Sequence, residues 1–322
     1  MDRKKIRIGI LGTAEIAFRR FLPALKKHTA FEYVGVASRD IEKTQKFKDA
    51  FGGVGYASYE ELLKDTSIDA VYIPLPPALH YEWGIRALEA DKHVFMEKPC
   101  CTSPEQTKSL IKLADTKNLV IHENYMFMYH KQLEMIKEII KNGDLGEIRL
   151  YRIAFGFPMR DRDDFRYNAD LGGGALLDCG GYTIKLAAEL LGDSARIVYS
   201  NSNKGNFNVD LFGDAVVKNA DGITAQLAFG MDNAYKCELE VWGRKGILKA
   251  PRIFTAPPDF DISLELSNNT GNYKIDIDCD NQFFNSIGFF YGCISDDYKR
   301  RESYRNIMKQ SYLLEDFRRE SI

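Results

Sequence analysis

The chain has 322 residues, of which 45% are hydrophobic and 28% charged, and its formal net charge is −2. This length favours two domains with substantial cores, and the near-neutral charge excludes a basic field for nonspecific nucleic-acid binding. No stretch approaches the roughly 18 apolar residues of a membrane span, so we expect neither nucleic-acid nor membrane partners.

The N-terminus and the cysteines indicate a cellular compartment. The first apolar run ends at Gly12 with no small-residue cleavage site after it, which argues against a signal peptide. No two cysteines form a CxxC pair, and adjacent Cys100 and Cys101 have poor spacing for a disulfide or a zinc site. We therefore predict a cytoplasmic protein with reduced thiols, packed as small hydrophobic groups, and no metal site.

The first strand and helix contain a weakened dinucleotide-binding motif. An apolar run at residues 6–11 predicts a buried strand, and a helical pattern follows to about Lys27. In the G-x-G-x-x-[GA] fingerprint between them, Ala14 replaces the second glycine. Glycines at such a turn let backbone amides approach a pyrophosphate. A nucleotide-free α/β turn stays the alternative. The residues that we expect to bind the cofactor here are Gly12, Thr13, Ala14, Glu15 and Ile16.

The end of the second strand, residues 31–37, bears on the choice of cofactor. An acidic residue at this place would bond the ribose 2′-hydroxyl of NAD, whereas an arginine accommodates the 2′-phosphate of NADP. Here Ser38 and Arg39 follow the strand, so we favour NADP(H) over NAD(H). Asp40 is the counter-evidence, and we interpret it as the N-cap of the next helix.

Strands and helices alternate through the first third of the chain, which predicts a doubly wound parallel sheet. Ligands bind at the carboxyl ends of such strands. A proline-rich loop follows the strand at residues 68–75, and Glu97-Lys98-Pro99 follows the strand HVFM. We therefore expect Lys98 to face a ligand. The further residues that we expect to bind the cofactor are Pro74, Leu75, Pro76, His80, Glu97, Lys98 and Asn124.

The second half of the chain predicts a different architecture. After a crossover that begins at Asn124, a helix at residues 132–140 precedes a β-rich segment, and helices at 282–294 and 302–318 close the chain. We predict a dinucleotide-binding (Rossmann) domain over residues 1–124. A substrate-binding α+β domain over 125–322 would contain a large open, mainly antiparallel sheet.

Several polar residues of the second half are candidate ligand contacts. His130 could contact a ligand or be a partly buried structural histidine. Arg160 and Arg166 lie in a long polar loop and could bind phosphate bidentately. Asp178 and Tyr182 are four residues apart on a predicted helix, so both can point at one cleft. We expect the three glycines before them to let the backbone pass close to the nicotinamide or the substrate.

The sequence resembles the glucose–fructose oxidoreductase / inositol dehydrogenase / rhizopine-catabolism (Gfo/Idh/MocA) family over nearly its whole length. The resemblance is carried by IRIGILGTAEIA, ALHYEWGIRALEADKHVFMEKP, HENYMFMYH, KNGDLGEIRL and GGGALLDCGGYTIKLAAELLG. It implies a Rossmann domain, an α+β domain with an open sheet and a site between them. It also implies that Lys98 is the catalytic lysine and that Pro99 follows a cis bond.

The chain departs from the family pattern at several positions. Besides Ala14, Pro77 replaces a common asparagine, and Met128 replaces a common arginine. The motif D-x-G-x-[HY]-x-x-[DN] ends on Lys185, and Tyr182 stands where inositol dehydrogenases have histidine, so an inositol substrate is not favoured.

Together these patterns predict an oxidoreductase that transfers a hydride between NADP(H) and a keto or hydroxyl carbon of a sugar. Lys98 or Tyr182 would deliver the proton, with Asp178 orienting Lys98 or a substrate hydroxyl. The resemblance favours a nucleoside-diphosphate keto-sugar, with reduction at C3. The alternatives are a free sugar or polyol, as for an anhydrofructose reductase, and a non-catalytic NADP-sensing regulator. A homodimer or homotetramer would form through the second sheet. The expected substrate-binding residues are Lys98, Tyr125, His130, Arg160, Arg166, Asp178 and Tyr182.

Overall fold

The structure is a computed structural model that describes residues 5–321. The predicted domains began at residue 1 and ended at residue 322, and residues 1–4 and 322 lie outside this description. Contacts divide the chain into two units. The first comprises the described residues up to Asn124 together with Phe283–Ser311, and the second comprises Tyr125–Gln282 and the described residues from Tyr312 onward.

The first unit is built on a six-stranded sheet in which every neighbouring pair is parallel, with the order β3-β2-β1-β4-β5-β6. This order reverses beside β1, which confirms the predicted doubly wound sheet. Its strands are β1 (Ile6–Leu11), β2 (Phe31–Ala37), β3 (Val54–Tyr56), β4 (Ala70–Ile73), β5 (His93–Met96) and β6 (Ile121–Glu123). A π-helical turn, Ala17–Phe21, leads into α1 (Leu22–Leu25), followed by α2 (Gln45–Phe51), α3 (Tyr59–Lys64), α4 (His80–Glu89) and α5 (Pro104–Thr116).

Helix starts in this unit follow the capping signals of the sequence. The hydroxyl of Ser58 accepts a hydrogen bond from the amide of Glu61 at 3.1 Å, while the Glu61 carboxylate reaches back to the amide of Ala57 at 2.9 Å. Asp40 Oδ1 accepts from the amide of Glu42 at 3.2 Å. Asp40 is therefore an N-cap, as predicted, although the helix that it begins is a short 3-10 helix, Ile41–Thr44.

The C-terminal helices are α8 (Gln282–Ser295) and α9 (Asp297–Glu320). The unit to which most of their residues belong differs from the predicted domain division. The predicted second domain includes all of 125–322, whereas residues 283–311 group with the first unit. The reason is aromatic packing. Phe284 stacks on His28 with 3.8 Å between ring centroids, and Phe290 meets Phe95 of β5 edge to face at 5.4 Å.

The second unit contains an eight-stranded sheet with the order β14-β13-β12-β11-β7-β10-β9-β8. All neighbours are antiparallel except β7 and β10, which confirms the predicted mainly antiparallel sheet. The strands are β7 (Ile148–Gly156), β8 (Arg196–Asn203), β9 (Phe212–Lys218), β10 (Thr224–Gly230), β11 (Lys236–Gly243), β12 (Gly246–Ala250), β13 (Ile262–Asn268) and β14 (Gly271–Ile277). The helices of this unit include α6 (Lys131–Asn142) and α7 (Gly181–Leu191).

Three further features of the described residues concern the cysteines, membrane-spanning helices and possible metal clusters. All six cysteines are free, and five are buried as expected, but Cys279 is exposed. Within residues 5–321, no helix combines the length and the apolar character needed to cross a membrane. In the same range, no group of three or more His, Cys, Asp or Glu side chains could hold a metal ion.

Candidate active site

The glycine turn after β1 has a backbone that only glycine adopts without strain. Gly12 has φ +108°, and its amide donates to the carbonyl of Ala37 at the end of β2 at 2.9 Å. A β-carbon at Gly12 would lie 2.8 Å from Cδ2 of Leu75. The strand ends after β1 and β2 are therefore joined by a hydrogen bond, and Leu75 occupies the space that a side chain at position 12 would need.

Ser38 and Arg39 form the polar end of β2. The amide of Ser38 donates to the carbonyl of Tyr56 at 3.1 Å, and its hydroxyl accepts from the amide of Asp40 at 3.2 Å. Arg39 is exposed. Asp40 is engaged as a helix cap, and the exposed guanidinium of Arg39 is the group at this strand end that suits a phosphate.

The remaining residues of the glycine turn have different surroundings. Thr13, Ala14 and Ile16 are partly exposed. Glu15 pairs with Lys46 at 2.6 Å and with Arg19 at 3.0 Å, and the hydrogen bond from Lys46 lowers the pKa of its carboxyl. Taken together, the glycine turn, with Thr13 and Ala14 partly exposed, and the exposed Arg39 fit a dinucleotide with a 2′-phosphate.

Lys98 follows β5 at the same edge of the sheet. The Lys98–Pro99 bond is cis, as the resemblance implied. Glu97 holds the start of this turn: its carboxylate accepts from the hydroxyl of Tyr72 at 2.6 Å, from the amide group of Asn124 at 2.8 Å and from the backbone amide of Lys98 at 3.4 Å. Burial raises the pKa of Glu97, and these hydrogen bonds oppose the rise.

Asn124 and Glu97, both predicted to bind the cofactor, belong to one buried hydrogen-bond network. The carbonyl oxygen of Asn124 accepts from the hydroxyl of Ser286 at 2.9 Å, and Nε2 of His122 lies 2.8 Å from the same hydroxyl. The network therefore runs from α8 to the base of the Lys98 turn. Its hydrogen bonds fix the residues at the start of the Lys98 turn. His122 and Ser286 belong to this network, although neither was among the predicted site residues.

His80, also predicted to bind the cofactor, lies between two carbonyl groups of the chain. Its Nδ1 is 2.8 Å from the carbonyl oxygen of Pro99, and its Nε2 is 2.7 Å from that of Leu75. Burial lowers the pKa of the imidazole, so the neutral form satisfies one carbonyl. His80 thus ties the loop after β4, with buried Pro74 and partly exposed Pro76, to the Lys98 turn.

In the second unit, Asp178 pairs with an arginine from the preceding loop. Arg166 Nε donates to Oδ2 of Asp178 at 2.6 Å, and its Nη1 donates to Asp164 at 3.1 Å. The exposed fractions of the Arg166 and Asp178 side chains are 21% and 13%. Burial works to lower the pKa of Arg166, but the two carboxylates outweigh it and raise the pKa.

Tyr182 lies in an aromatic cluster of the second unit. Its ring meets Tyr125 edge to face at 5.2 Å between centroids, and Phe127 lies 5.7 Å away. Its hydroxyl donates to Sδ of Met126 at 3.5 Å. The amino group of Lys185 lies 5.5 Å from the ring centroid of Tyr125. Tyr125 and Tyr182, both predicted to bind the substrate, therefore pack together.

Comparisons with known proteins decide the family. Residues 6–125 match the model described as "Oxidoreductase family, NAD-binding Rossmann fold", and residues 133–249 match the GFO/IDH/MocA C-terminal domain. The chain belongs to the Gfo/Idh/MocA family of oxidoreductases. The expected family and enzyme class are confirmed.

Similar members of the Gfo/Idh/MocA family act on sugars. The dTDP-3,4-didehydro-2,6-dideoxy-α-D-glucose 3-reductase of Saccharopolyspora spinosa is 40% identical, over 82% of this chain and 80% of its own. A 3-ketoreductase from Actinomadura kijaniata, solved with NADP and TDP-benzene, is 35% identical with a TM-score of 0.96, over 99% of this chain and 98% of its own. The D-xylose 1-dehydrogenase (NADP(+)) 2 of Haloferax volcanii is 32% identical, over 78% of this chain and 77% of its own.

The glycines that precede Asp178 have a different packing role from the expected one. A β-carbon at Gly173 would collide with the backbone carbonyl of Arg166, and one at Gly174 would collide with Oδ1 of Asp210. Gly174 also has φ +116°. These glycines therefore admit the chain's own loop and Asp210, in place of the nicotinamide or substrate that the sequence suggested.

The two remaining predicted contacts differ in accessibility. His130 is 1% exposed and caps α6, because its Nδ1 accepts from the amide of Gln132 at 3.1 Å. Its Nε2 is a buried atom without a hydrogen-bond partner among the described residues. Arg160 is exposed and lies over the ring of Phe157 at 5.3 Å.

Proposed function

We propose that the chain is an NADPH-dependent reductase of a nucleoside-diphosphate-linked keto-sugar and that it reduces the carbonyl at C3. The observation that carries this proposal is the similarity, over 99% of the chain, to a 3-ketoreductase solved with NADP and a TDP ligand. The 40% identity to a dTDP-sugar 3-reductase supports the same substrate class.

The proposed cofactor site uses the strand ends of the first unit. The turn that follows Gly12, in which Thr13 and Ala14 are partly exposed, would bind the pyrophosphate through backbone amides, as glycine turns between the first strand and helix of such domains do. Arg39 would bind the 2′-phosphate, since its guanidinium is exposed beside a neutral serine. Glu97, Asn124 and His80 support this site by fixing the loops around it, as their hydrogen bonds to Lys98, Ser286 and Pro99 indicate.

Reduction of a ketone needs a hydride at carbon and a proton at oxygen, and bound NADPH supplies the hydride. We propose that Lys98 and Tyr182 both act on the carbonyl oxygen. Lys98 carries an ammonium group on a turn fixed by Glu97. Tyr182 carries a hydroxyl on a ring fixed by aromatic neighbours. Either group could donate the proton, and the other would then polarise the carbonyl by hydrogen bonding.

The substrate-binding residues that we propose in the second unit have distinct tasks. Arg166 is held by Asp178 and Asp164, so it would present a fixed guanidinium edge to a substrate hydroxyl or phosphate. Arg160 is exposed and free of such an ion pair among the described residues, so it would reach the diphosphate. Tyr125 and His130 would shape the sugar pocket through their buried rings.

Consumption of NADPH with a matched panel of substrates tests this function. The panel pairs each dTDP-linked keto-sugar with the same sugar lacking the nucleotide, and NADH replaces NADPH in parallel. We expect kcat/KM to be at least about 100-fold higher for the nucleotide-linked form, since charge-assisted contacts to a diphosphate contribute about 1.5–3 kcal/mol each. Equal or better turnover of the free sugar would overturn the substrate assignment.

The proton donors are tested with Lys98→Met and Tyr182→Phe. We expect each single variant to lower kcat by about 10²–10⁴-fold, the usual contribution of one acid–base group. The double variant should lose much less than the product of the two single losses if both groups act on one proton transfer. Full turnover by Lys98→Met would contradict a catalytic role for Lys98.

Oxidation of a free sugar is the second candidate function. The 32% identity to a D-xylose 1-dehydrogenase supports it. Under this alternative, aldoses and NADP⁺ would give turnover, and nucleotide-linked keto-sugars would not. A third alternative, an NADP-sensing regulator, would bind the cofactor but give no turnover with either panel.

We propose that the chain forms a homodimer or homotetramer through the outer face of the second sheet. Residues alternate along β11, where Val241 is buried and Trp242 is 46% exposed. Phe212 of β9 is 43% exposed. A Trp242→Glu, Phe212→Glu double variant should sediment as a monomer, and the control Tyr298→Ser should not, although Tyr298 is 70% exposed.

We also propose a cytoplasmic location. Its support is the set of six free cysteines, which a reducing compartment would preserve. Cell fractionation tests it, and recovery of the protein outside the cytoplasm would contradict it.

A further inference from the structure

A short segment without helix or strand, residues 252–256, follows β12 in the second unit. Three of its residues, Ile253, Phe254 and Ala256, are at most 3% exposed. A buried carbonyl group outside a helix or a sheet needs a hydrogen-bond donor from elsewhere in the chain, because an unpaired one costs free energy. The conformation of this segment therefore depends on the side chains around it.

Two buried glutamine side chains supply the donors. Gln132 lies in the first turn of α6 and is 0% exposed, and Gln282 is the first residue of α8 and is 5% exposed. Both belong to the second unit. The Nε2 group of each has two N–H donors and bridges two acceptors. The acceptors, at 3.2–3.4 Å, are the carbonyl oxygens of Arg252 and Ile253 for Gln132 and those of Phe254 and Ala256 for Gln282.

The segment held in this way contributes the ring of Phe254 to the aromatic cluster of Tyr182. The ring centroid of Phe254 lies 5.7 Å from that of Tyr182, 4.9 Å from that of Phe127 and 5.2 Å from that of Phe155. Phe127 lies in a 3-10 helix and Phe155 in β7, whereas Phe254 has no regular element to hold it. The hydrogen bonds from the two glutamines therefore fix the side of the cluster that Phe254 forms.

The place of the Tyr182 ring matters because its hydroxyl is at the end of the side chain. Any tilt of the ring moves that hydroxyl, and proton transfer needs an approach of about 2.6–3.2 Å between the heavy atoms. A misplacement of about 1 Å can cost about 10²-fold in rate. Phe254, packed against the ring, limits such a tilt.

We propose that Gln132 and Gln282 are positioning residues for the reaction, which fix residues 252–256 and thereby hold Phe254 against the ring of Tyr182. This inference rests on the proposed function, in which the Tyr182 hydroxyl acts on the substrate carbonyl. Neither glutamine was among the predicted site residues, and the two lie far apart in the chain.

The test measures kcat with a dTDP-linked keto-sugar, and the KM for NADPH, in Gln132→Met and Gln282→Met. Methionine keeps the length of glutamine and removes the two donors. Phe254→Leu leaves both glutamines and their acceptors in place and removes only the ring, so it carries the test where a glutamine variant fails to fold. Each variant is also combined with Tyr182→Phe, and thermal unfolding verifies that it folds.

Asn219→Leu is the matched control for the loss of a buried amide. Asn219 is 8% exposed, and its Nδ2 donates to the carbonyl oxygen of Leu191 in the second unit at 3.4 Å. The control should therefore lower the unfolding temperature as the glutamine variants do. Its kcat should stay within about 2-fold of the native value, because this amide holds a different part of the unit.

We expect each of Gln132→Met, Gln282→Met and Phe254→Leu to lower kcat about 3- to 30-fold, less than the loss of about 10²–10⁴-fold expected for Tyr182→Phe. The KM for NADPH should stay within about 2-fold, because the proposed cofactor residues lie in the first unit. In the Tyr182→Phe background, the same three substitutions should change kcat by less than about 2-fold, since the hydroxyl that they position is absent.

Three results would overturn the inference. If Tyr182→Phe is impaired but the glutamine variants and Phe254→Leu keep the kcat of Asn219→Leu, the glutamines are only structural and the proposed role of Tyr182 stands. If these variants lower kcat equally with and without the Tyr182 hydroxyl, they act on another part of the site. If Tyr182→Phe itself keeps full turnover, the proposed role of Tyr182 fails, and the inference fails with it.

Discussion

Arg166 and Asp178 form a largely buried ion pair, with 2.6 Å between Nε and Oδ2. Sequence reasoning assigned both residues to the substrate, but each is first a partner of the other. Removing the arginine leaves the Asp178 carboxylate, 13% exposed, without this hydrogen bond. We expect Arg166→Ala to lower the free energy of unfolding by about 1–3 kcal/mol, as for a buried hydrogen bond to a charged group.

Chemical denaturation of two further variants isolates the ion pair. Asp178→Asn should cost less than Arg166→Ala, because Arg166 keeps its contact with Asp164 at 3.1 Å. Arg160→Ala is the control and should change the free energy of unfolding by less than about 0.5 kcal/mol, since Arg160 is exposed. An Arg166→Ala variant as stable as Arg160→Ala would show that the pair contributes nothing to stability.

Gly12→Ala should weaken both the fold and the binding of NADPH. Gly12 has φ +108°, a conformation that costs an L-residue about 1–3 kcal/mol, and the new methyl group would lie 2.8 Å from Leu75. Because the methyl group must displace Leu75 or shift the turn that we propose binds the pyrophosphate, we expect the Kd for NADPH to rise at least about 10-fold. Fluorescence titration with NADPH measures this change.

Gly143→Ala provides the control for backbone strain. Gly143 has φ +79°, but nothing lies within 4 Å of a β-carbon built there. This variant should lose about 1 kcal/mol of stability and keep its affinity for NADPH. An unchanged Kd in Gly12→Ala would show that the cofactor does not approach this turn.

Acidification should destabilise the chain through His93. Burial, and next the charge of Arg300, lower the pKa of His93 from 6.5 to about 4. Its Nδ1 accepts from the amide of Val120 at 3.0 Å, and a proton on Nδ1 would abolish this bond. The unfolded chain therefore binds the proton more tightly, so the contribution of His93 is complete above pH 6.5 and is lost as the pH falls toward about 4.

The variant His93→Asn tests this pH dependence, because asparagine retains an acceptor but does not titrate. The difference in the free energy of unfolding between native chain and variant should shrink by up to about 3 kcal/mol between pH 6.5 and pH 4. A difference that stays constant across this range would mean that His93 has an ordinary pKa in the folded chain.

Local patterns in the sequence predicted much of the fold. Ser58, Asp40 and the glycine after α6 mark helix ends where the structure has them. The individual strands that the sequence predicts in the β-rich segment end at Ala250, so the hairpin of β13 and β14 was not predicted, although residues 262–277 alternate around an Asn- and Gly-rich turn. The grouping of residues 283–311 with the first unit was also missed, because it depends on aromatic contacts between segments far apart in the chain.

The candidate site shows the same limit. The residues at strand ends could be predicted, because parallel strands direct their carboxyl ends to one edge. The partners of those residues could not. Nothing in the sequence pairs Arg166 with Asp178 or sets His80 between two carbonyl groups. Such contacts depend on loop geometry and on side-chain packing, which no periodicity encodes.

Transfer of deuterium from NADPH tests the central claim most directly. NADPH deuterated at both C4 positions of the nicotinamide would be incubated with the chain and dTDP-3,4-didehydro-2,6-dideoxy-α-D-glucose, the substrate named for a relative that is 40% identical. NMR of the product locates the label, because this sugar offers carbonyl groups at both C3 and C4. A C3 reductase predicts one deuterium at C3. Deuterium at C4, or none in the sugar, would contradict the proposed function.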